Sequence, residues 1–297
     1  MRARRAALAL TGAGLAAAAY ATLVEPRWFT LREVEAAVLR PAARGPLRVL
    51  HLSDLHLWPS HEAMARALRR FAATDPDVVV VTGDILGHPE VVDDAVALLA
   101  EVGAGRVALA VLGSNDRFGP SPKNPFGYLT RDGDPEEPRG EPLDTPRLVS
   151  GLEAAGWHVV DNRALRLDTP AGVLDVRGLG DAHLGLARLG AVGGPPSDDV
   201  VLGLGVTHAP YTAVLDRFDR AGLDLALAGH THGGQVRVPG LGALVANCDL
   251  PLSQTRGLSA HGAGLALHVS AGLGQSRYAP FRFACRPEAT LLTLTPG

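Results

Sequence analysis

Val78-Val79-Val80-Val81-Thr82-Gly83-Asp84 is the stretch on which the reading of this chain turns. A short, unbroken β-branched run bounded by a Gly-Asp pair reads as a buried strand that ends on a carboxylate. The same device recurs along the chain. Val49-Leu50-His51-Leu52 precedes Asp54-Leu55-His56, and Val107 to Leu112 precedes Asn115-Asp116. Val201 to Val206 precedes His208, and Leu225 to Ala228 precedes Gly229-His230-Thr231-His232. In α/β sheets the ligand crevice lies beyond the carboxyl ends of the strands, so strands that each end on a metal-binding side chain would assemble one polar site.

Between these strands the pattern turns helical. His61 to Thr74 carries Ala63, Met64, Ala67, Leu68 and Phe71 at helical spacing, and Val91 to Val102 repeats the device. This βαβ rhythm favours a parallel sheet with right-handed crossovers. Thr30-Leu31-Arg32-Glu33-Val34-Glu35, within Trp28 to Arg48, alternates like an edge strand. Further strands are expected at Trp157 to Val160, Ala164 to Leu167, Val173 to Val176, Gly264 to Ser270 and Ala289 to Leu294.

The rhythm breaks over residues 117–146, which hold Pro120, Pro122, Pro125, Pro135, Pro138, Pro142 and Pro146 and the mixed-charge run Arg131 to Glu137. A long loop leaving a site cluster reads as a lid or substrate-selecting wall, with Phe118, Phe126, Tyr128 and Leu129 available to pack over the site. The plainer alternative is a surface insertion.

With 297 residues, 46% hydrophobic and 20% charged, the chain can bury a large core, and we read residues 28–297 as one domain. A net charge of -3 provides no basic field for long nucleic acid, so none is expected as a partner. Cys248 and Cys285 lack zinc-knuckle spacing and are either one disulfide or two isolated thiols. At the start, Arg2, Arg4 and Arg5 precede an uncharged run from Ala6 to Val24, with Glu25-Pro26 after it. Residues 1–27 therefore read as a signal-anchor or transmembrane segment, or as a cleaved signal peptide with Ala17-Ala18-Ala19 available for processing. Arg4-Arg5 also hints at twin-arginine export. The expected location is the cell membrane with the catalytic domain outside the cytoplasm, or secretion after cleavage. A buried, Ala-rich helix is the plainer alternative.

The clusters suit two hard or borderline divalent cations (Mn, Fe, Zn or Mg). Asp54 and His56, two apart, lie on the same side of a continuing strand, and Asp84 can bridge cations because a carboxylate has two oxygens. His208, His230 and His232 offer imidazoles, and Asn115 an amide oxygen. Each has a duller reading alone. Asp54 and Asp84 fit helix N-caps, Asn115-Asp116 a turn, and His208 a hydrogen-bonded core histidine. His51 is read as facing the helical layer, and His61, His88, His158, His183, His261 and His268 as loop or surface residues. Gln235 and Arg237 could touch a substrate phosphate or belong to a solvated hairpin.

The ordered set D-x-H, G-D, Asn115-Asp116, His208 and G-H-x-H resembles the calcineurin-like metallophosphoesterase superfamily, over roughly Leu47 to Leu294. The form Gly229-His230-Thr231-His232-Gly233-Gly234-Gln235, with Phe283-Ala284-Cys285-Arg286-Pro287-Glu288, is most similar to its bacterial membrane-associated or exported branch. The resemblance implies a four-layer α/β/β/α sandwich with two central mixed sheets. It also implies one metal on Asp54, His56, Asp84 and His232, and another on Asp84, Asn115, His208 and His230. The chain departs from the family in two places. Its third motif is Gly113-Ser114-Asn115-Asp116 where the family has Gly-Asn-His-Asp/Glu, and Gly87 stands where Asp or Asn is frequent. Ser114 or Asn115 can be the ligand, with Asn115 the better donor, and the usual catalytic imidazole is missing.

These residues imply a phosphohydrolase that cleaves a phosphodiester or phosphoanhydride with a metal-bridging hydroxide. Asp84, Asn115 and Asp116 are the candidate catalytic residues, and Ser114, Arg117 and Gln235 the candidate substrate contacts. The substrate would be a phosphorylated small molecule or a lipid-linked species near the membrane. The alternative is a metal- and phosphate-binding scaffold or sensor without turnover.

Overall fold

The computed structural model describes residues 2–121 and 140–297. Two six-stranded sheets face each other. The first is built from β1 (Thr30–Leu39), β2 (Leu47–Leu52), β3 (Val78–Thr82), β4 (Val107–Val111), β5 (Trp157–Val159) and β14 (Glu288–Pro296), in the order β1-β14-β2-β3-β4-β5. The second is built from β6 (Ala164–Thr169), β7 (Gly172–Gly178), β8 (Val200–Val206), β9 (Leu225–Ala228), β12 (Gly257–His261) and β13 (Leu265–Val269), in the order β12-β13-β9-β8-β7-β6. A small hairpin, β10 (Arg237–Val238) and β11 (Gly242–Ala243), stands apart.

Each sheet is mixed. β2, β3, β4 and β5 run parallel, as the alternation of strand and helix requires, whereas β14 enters antiparallel to β2 and parallel to the edge strand β1. In the second sheet β7, β8, β9 and β13 are parallel, with antiparallel β6 and β12 at the edges.

The pleat sorts side chains into layers. Leu50, Leu52, Val79, Val81, Ala108 and Ala110 face outward onto α2 (Glu62–Ala72), α3 (Val92–Gly103) and α4 (Thr145–Ala154). Val49, Val78, Val80, Leu109 and Val111 face inward against Leu174, Val176, Leu202, Leu204, Leu225 and Leu227 of the second sheet. Ala226, Ala228, Leu265 and Leu267 pack outward against α5 (Thr212–Arg220). The order is helix, sheet, sheet, helix. α5 can approach closely because β8 presents Gly205 there; a Cβ at that position would sit 2.7 Å from the Phe218 ring.

One expectation changes and two readings are refined. The N-terminal segment forms α1 (Arg2–Ala19) and continues through a π turn (Tyr20–Val24) and a 3-10 turn (Glu25–Arg27), but no helix among the described residues is long and apolar enough to cross a membrane. Its Ala, Gly and Thr are weakly apolar, and the arginines of its first turns fall within the helix. Second, the insertion over residues 117–146 runs at its end into a helix the sequence did not show, α4 (Thr145–Ala154), capped by the Asp144 carboxylate accepting from Arg147 N at 3.1 Å. The described legs of the insertion are zipped together, with Gly119 N donating to Glu141 O and Leu143 N to Arg117 O, both at 2.8 Å. Phe126, Tyr128, Leu129 and the charged run lie outside the described residues. Third, Cys248 and Cys285 are free thiols, the second buried with its Sγ 3.3 Å from His232 O.

Candidate metal centre

The parallel strands β2, β3, β4, β8 and β9 end along one edge of the double sheet and deliver their terminal residues to a common point. Asp54, His56, Asp84, His208, His230 and His232 are all buried there. The backbone is bent hard to bring them in. Asp54, His56, Asp84, His230 and His232 all have φ between 43° and 68°, the left-handed region that costs a non-glycine residue of order 1–3 kcal/mol. Such a concentration of strain on the polar residues of a single site marks a geometry fixed by function rather than by local propensity. The flanking glycines make room. A Cβ on Gly229 would collide with Ser53 Oγ, and one on Gly83 would lie 2.8 Å from His208 Nδ1.

Two tight donor groups result. Ligand atoms of Asp54, His56 and His232 lie within 4.8 Å of one another, as do those of Asp54, Asp84 and His208. His56 Nε2 and His232 Nε2 face each other at 3.3 Å, and Asp54 Oδ1 lies 3.6 Å from His232 Nε2. Asp84 spans the groups, with Oδ2 3.5 Å from His56 Nε2 and Oδ1 3.6 Å from His208 Nε2. His208 is aimed by its Nδ1, which donates to Thr82 O at 2.7 Å. Its Nε2 is buried without a hydrogen-bond partner, an orphan that a cation would satisfy.

The electrostatics agree. Burial opposes charge on His208, yet Asp84, Asp181 and Asp54 raise its pKa to about 9. Burial raises Asp54 to about 6, helped by Asp84 and opposed by His208. Burial also works against the Asp84 charge, but His208 and His56 outweigh it and hold that carboxyl well below its ordinary range. His232 is kept neutral by burial and by His56, and His230 by burial and by His183. His230 and His232 are thus in the neutral form that binds divalent ions, and the carboxylates that hold a proton on His208 would exchange it for a cation, so this donor set fits hard or borderline cations.

His230 belongs to neither tight group. Its Nε2 donates to Asn247 O at 3.0 Å, which leaves Nδ1 as its ligand nitrogen, and its backbone N–H donates to Asp54 Oδ2 at 3.1 Å. In the third motif, Asn115 reaches Asp84 twice, N to Oδ1 at 2.8 Å and Nδ2 to Oδ2 at 2.6 Å. Of Ser114 and Asn115, therefore, Asn115 is the one whose side chain stands at the centre; Ser114 Oγ is reached only at 3.4 Å from Asn115 Nδ2.

The comparisons with known proteins belong beside this geometry. Residues 47–234 match the family model of the calcineurin-like phosphoesterases, a span that holds every ligand named above. The chain belongs to the calcineurin-like phosphoesterase family. It is 28% identical over 308 residues to phosphodiesterase YaeI of Escherichia coli K12, covering 99% of this chain and 100% of that one. It is 27% identical over 305 residues to the uncharacterized metallophosphoesterase YkuE of Bacillus subtilis 168, covering 97% and 93%. Among solved structures it is similar to TT1561 of Thermus thermophilus, at TM-score 0.41 and 13% identity over 76% of this chain and 90% of that one.

Within the phosphoesterase frame, several sequence assignments need correction. Asp116 is fully buried and both its oxygens are occupied: Oδ1 accepts from Ile85 N at 2.7 Å and Leu86 N at 3.0 Å, and Oδ2 from Gly113 N at 2.9 Å. Burial and the Asp84 charge raise it to about 7 against those amides. It clamps the second motif loop to the third and offers no free oxygen to a substrate. Gln235 is buried; its Nε2 donates to Ala279 O at 2.7 Å and Phe281 O at 2.8 Å and so ties loops together, while its Oε1 has no hydrogen-bond partner. Arg117 Nη2 donates to Asp161 Oδ2 at 2.7 Å, and Asp161 Oδ1 accepts from Leu112 N, so this pair braces the end of β4. Arg237 Nη1 donates to Gly233 O at 2.7 Å. Gly87 is explained by space, since a Cβ there would lie 2.6 Å from His56 O.

Two histidines also stand elsewhere than the sequence suggests. His51 and His268 are not on a helical or solvent face but buried between the sheets. His183 is an exposed loop residue as expected, and its ring packs 4.8 Å from that of His230, with Nδ1 3.2 Å from Tyr211 Oη. Asp181, named in none of the motifs above, is fully buried with Oδ2 unpartnered, close enough to His208 to raise its pKa. The same holds for Arg282, whose buried guanidinium donates to Ala271 O, Gly272 O and Gly274 O and holds the loop whose Gly274 N–H donates to Asp54 O. Asp181 follows β7 as Gly180-Asp181, the same strand-end signal as Gly83-Asp84, and could have been found by it; Arg282 has burial as its signal.

Proposed function

We propose that this chain is a phosphohydrolase that uses two divalent cations to cleave phosphodiester or phosphoanhydride bonds. The observation that carries the reading is the pair of buried donor groups joined by Asp54 and Asp84, with His208 Nε2 orphaned between the carboxylates. Asp54, His56 and His232 would hold one cation, and Asp84, His208, Asn115 and His230 Nδ1 the other, with Asp84 reaching both. When bound, such a pair supplies an acidified water and a clamp on the attacking and leaving oxygens. The protein's own contribution is to hold the donors in strained backbone, keep His230 and His232 neutral, and bury the whole set.

Among the described residues, Asn115 is engaged with Asp84 and Asp116 with three amides, so neither stands free where the family places its imidazole. Leaving oxygens that need little protonation are therefore favoured: aryl phosphodiesters and pyrophosphate anhydrides. The name of YaeI, a phosphodiesterase, is consistent with that class.

We place the substrate near a membrane surface, outside the cytoplasm. Support comes from the basic, then uncharged start of the chain and from exposed apolar side chains: Leu15, Leu23, Val24 and Trp28 on the N-terminal segment, and Val238, Leu241 and Leu244 at the hairpin. The N-terminal segment lines a recess with Val236, Phe281 and Phe283, just beyond the His232 loop. Lipid-linked diphosphates in vesicles set against soluble nucleotides separate the two substrate classes, and equal rates on both would remove the membrane from this reading.

The direct test is hydrolysis of bis(4-nitrophenyl) phosphate by the full chain loaded in turn with Mn, Fe, Zn and Mg. Metal-dependent turnover is expected. Metal retention with no hydrolysis of any activated ester would favour a binding or sensing role instead.

A further inference from the structure

Between the two sheets the apolar filling gives way, beneath the metal centre, to a line of buried polar groups. His51 and Ser53 continue the inward face of β2, Thr82 that of β3, and His268 that of β13; all four are at most 1% exposed. Ser53 Oγ lies 2.6 Å from Asp54 Oδ2, Thr82 Oγ1 2.7 Å from Ser53 Oγ, His51 Nε2 3.0 Å from Thr82 Oγ1, and His268 Nδ1 2.9 Å from His51 Nδ1.

Counting protons fixes the direction of the whole line. An ionised carboxylate only accepts, so Ser53 spends its single proton on Asp54 and must itself accept from Thr82. Thr82 has then spent its own proton; the competing acceptor, Leu52 O, is 3.5 Å away and too far to hold it. Thr82 must therefore accept from His51 Nε2–H. A neutral imidazole carries one N–H, so His51 Nδ1 is bare and accepts from His268 Nδ1–H. Every donor points toward the metal centre. Burial holds both imidazoles below their ordinary pKa and thus neutral, as this arrangement requires.

We propose that His51 and His268 are positioning residues for the metal centre: through Thr82 and Ser53 they pin Oδ2 of Asp54, leaving Oδ1 turned toward His232 for a cation. The proposal rests on Asp54 being a ligand, as argued above. Asp54 needs such a brace because its backbone is in the left-handed region at φ 49°. Asp84, by contrast, is held locally by Asn115. The chain of hydrogen bonds also couples the sheets, since His268 belongs to the second and Asp54 to the first.

The test is titration of the metal-free full chain with manganese(II), comparing wild type with His51→Leu and His51→Gln. Glutamine keeps both roles, an N–H for Thr82 and an oxygen for His268, whereas leucine keeps neither. His51→Leu is expected to weaken the Asp54 site about tenfold or more, the cost seen for losing partners of metal ligands, and His51→Gln to stay within about threefold of wild type. Equal affinity for wild type and His51→Leu, or an equal loss in both variants, overturns the inference. Should His51→Leu fail to fold, nitrogen-15 spectra of the wild type decide. Protonated Nε2 on His51 and protonated Nδ1 on His268 are expected; the opposite tautomer on either ring overturns the inference. Wild type that binds no manganese would instead remove the metal centre itself, and the brace with it.

Discussion

The loops that leave β2 and β4 look alike in sequence and do opposite things. Each follows an apolar strand and carries an aspartate. After β2, Asp54 turns an oxygen toward His232 and the site. After β4, Asp116 gives both oxygens to backbone amides of two loops. The difference is in the donors that surround each carboxylate. Asp54 meets imidazoles, a hydroxyl and one amide, which leave room for a cation; Asp116 meets three amide N–H groups, which fill it. The role of an aspartate at a strand end is set by what the other strands bring to it.

That contrast breaks most visibly if the two classes of aspartate are exchanged in effect. Asp84→Asn should lower kcat on bis(4-nitrophenyl) phosphate by about a thousandfold, several kcal/mol of lost transition-state stabilisation, with its melting temperature little changed. A variant that keeps wild-type turnover would return Asp84 to the role of a cap. If Asp116 offers no proton, nitrophenyl leaving groups should be preferred over alkyl ones by about a hundredfold or more. Matched rates across such a series would reveal an acid that this arrangement lacks. Asp116→Ala should act on the fold instead, costing about 3 kcal/mol in urea unfolding because buried amides lose a charged acceptor, while kcat of the folded protein stays within about tenfold. A collapse of kcat with unchanged stability would make Asp116 a member of the chemistry after all.

The region under the β2 loop sharpens the same comparison through pH. Burial lowers His268 from its ordinary 6.5 to about 4. The unfolded chain therefore binds that proton first, so the contribution of this group is complete above about pH 6.5 and is lost as pH falls toward 4, by up to about 3 kcal/mol. His268→Leu should flatten the fall in unfolding free energy over that window; identical pH profiles would show that His268 titrates freely. The smallest effect is expected at Gln235, where replacement by Ala removes two hydrogen bonds to backbone carbonyls and should cost about 1–2 kcal/mol of stability with KM unchanged. A raised KM would restore it as a substrate contact.

Much of this is legible in the residues. Runs such as Val78 to Val81 can only be buried strands, and the carboxylates and imidazoles that follow them do converge. What stays hidden has physical causes. Alternation tells that His51 and Leu50 face opposite ways, but it does not say which face meets helices and which meets the second sheet, so the sequence places His51 and His268 on the wrong side. Proline and charge around residues 117–146 mask α4, whose Leu148 and Leu152 face is short. Gly203 and Gly205 leave β8 readable as a strand, yet the use of Gly205, admitting Phe218, depends on α5 further along the chain. Arg282 acts through burial, which no local pattern records, whereas Asp181 carries the Gly-Asp strand-end pattern behind a strand, β7, whose polar Asp175 and Arg177 obscure it.

The metal content of the purified full chain, measured beside that of Asp84→Asn, tests the central claim most directly. Two divalent cations per wild-type chain, and one or none in the variant, is the predicted result. A wild type that holds no divalent cation, or a variant that holds as many as the wild type, would contradict a two-cation centre joined through Asp84.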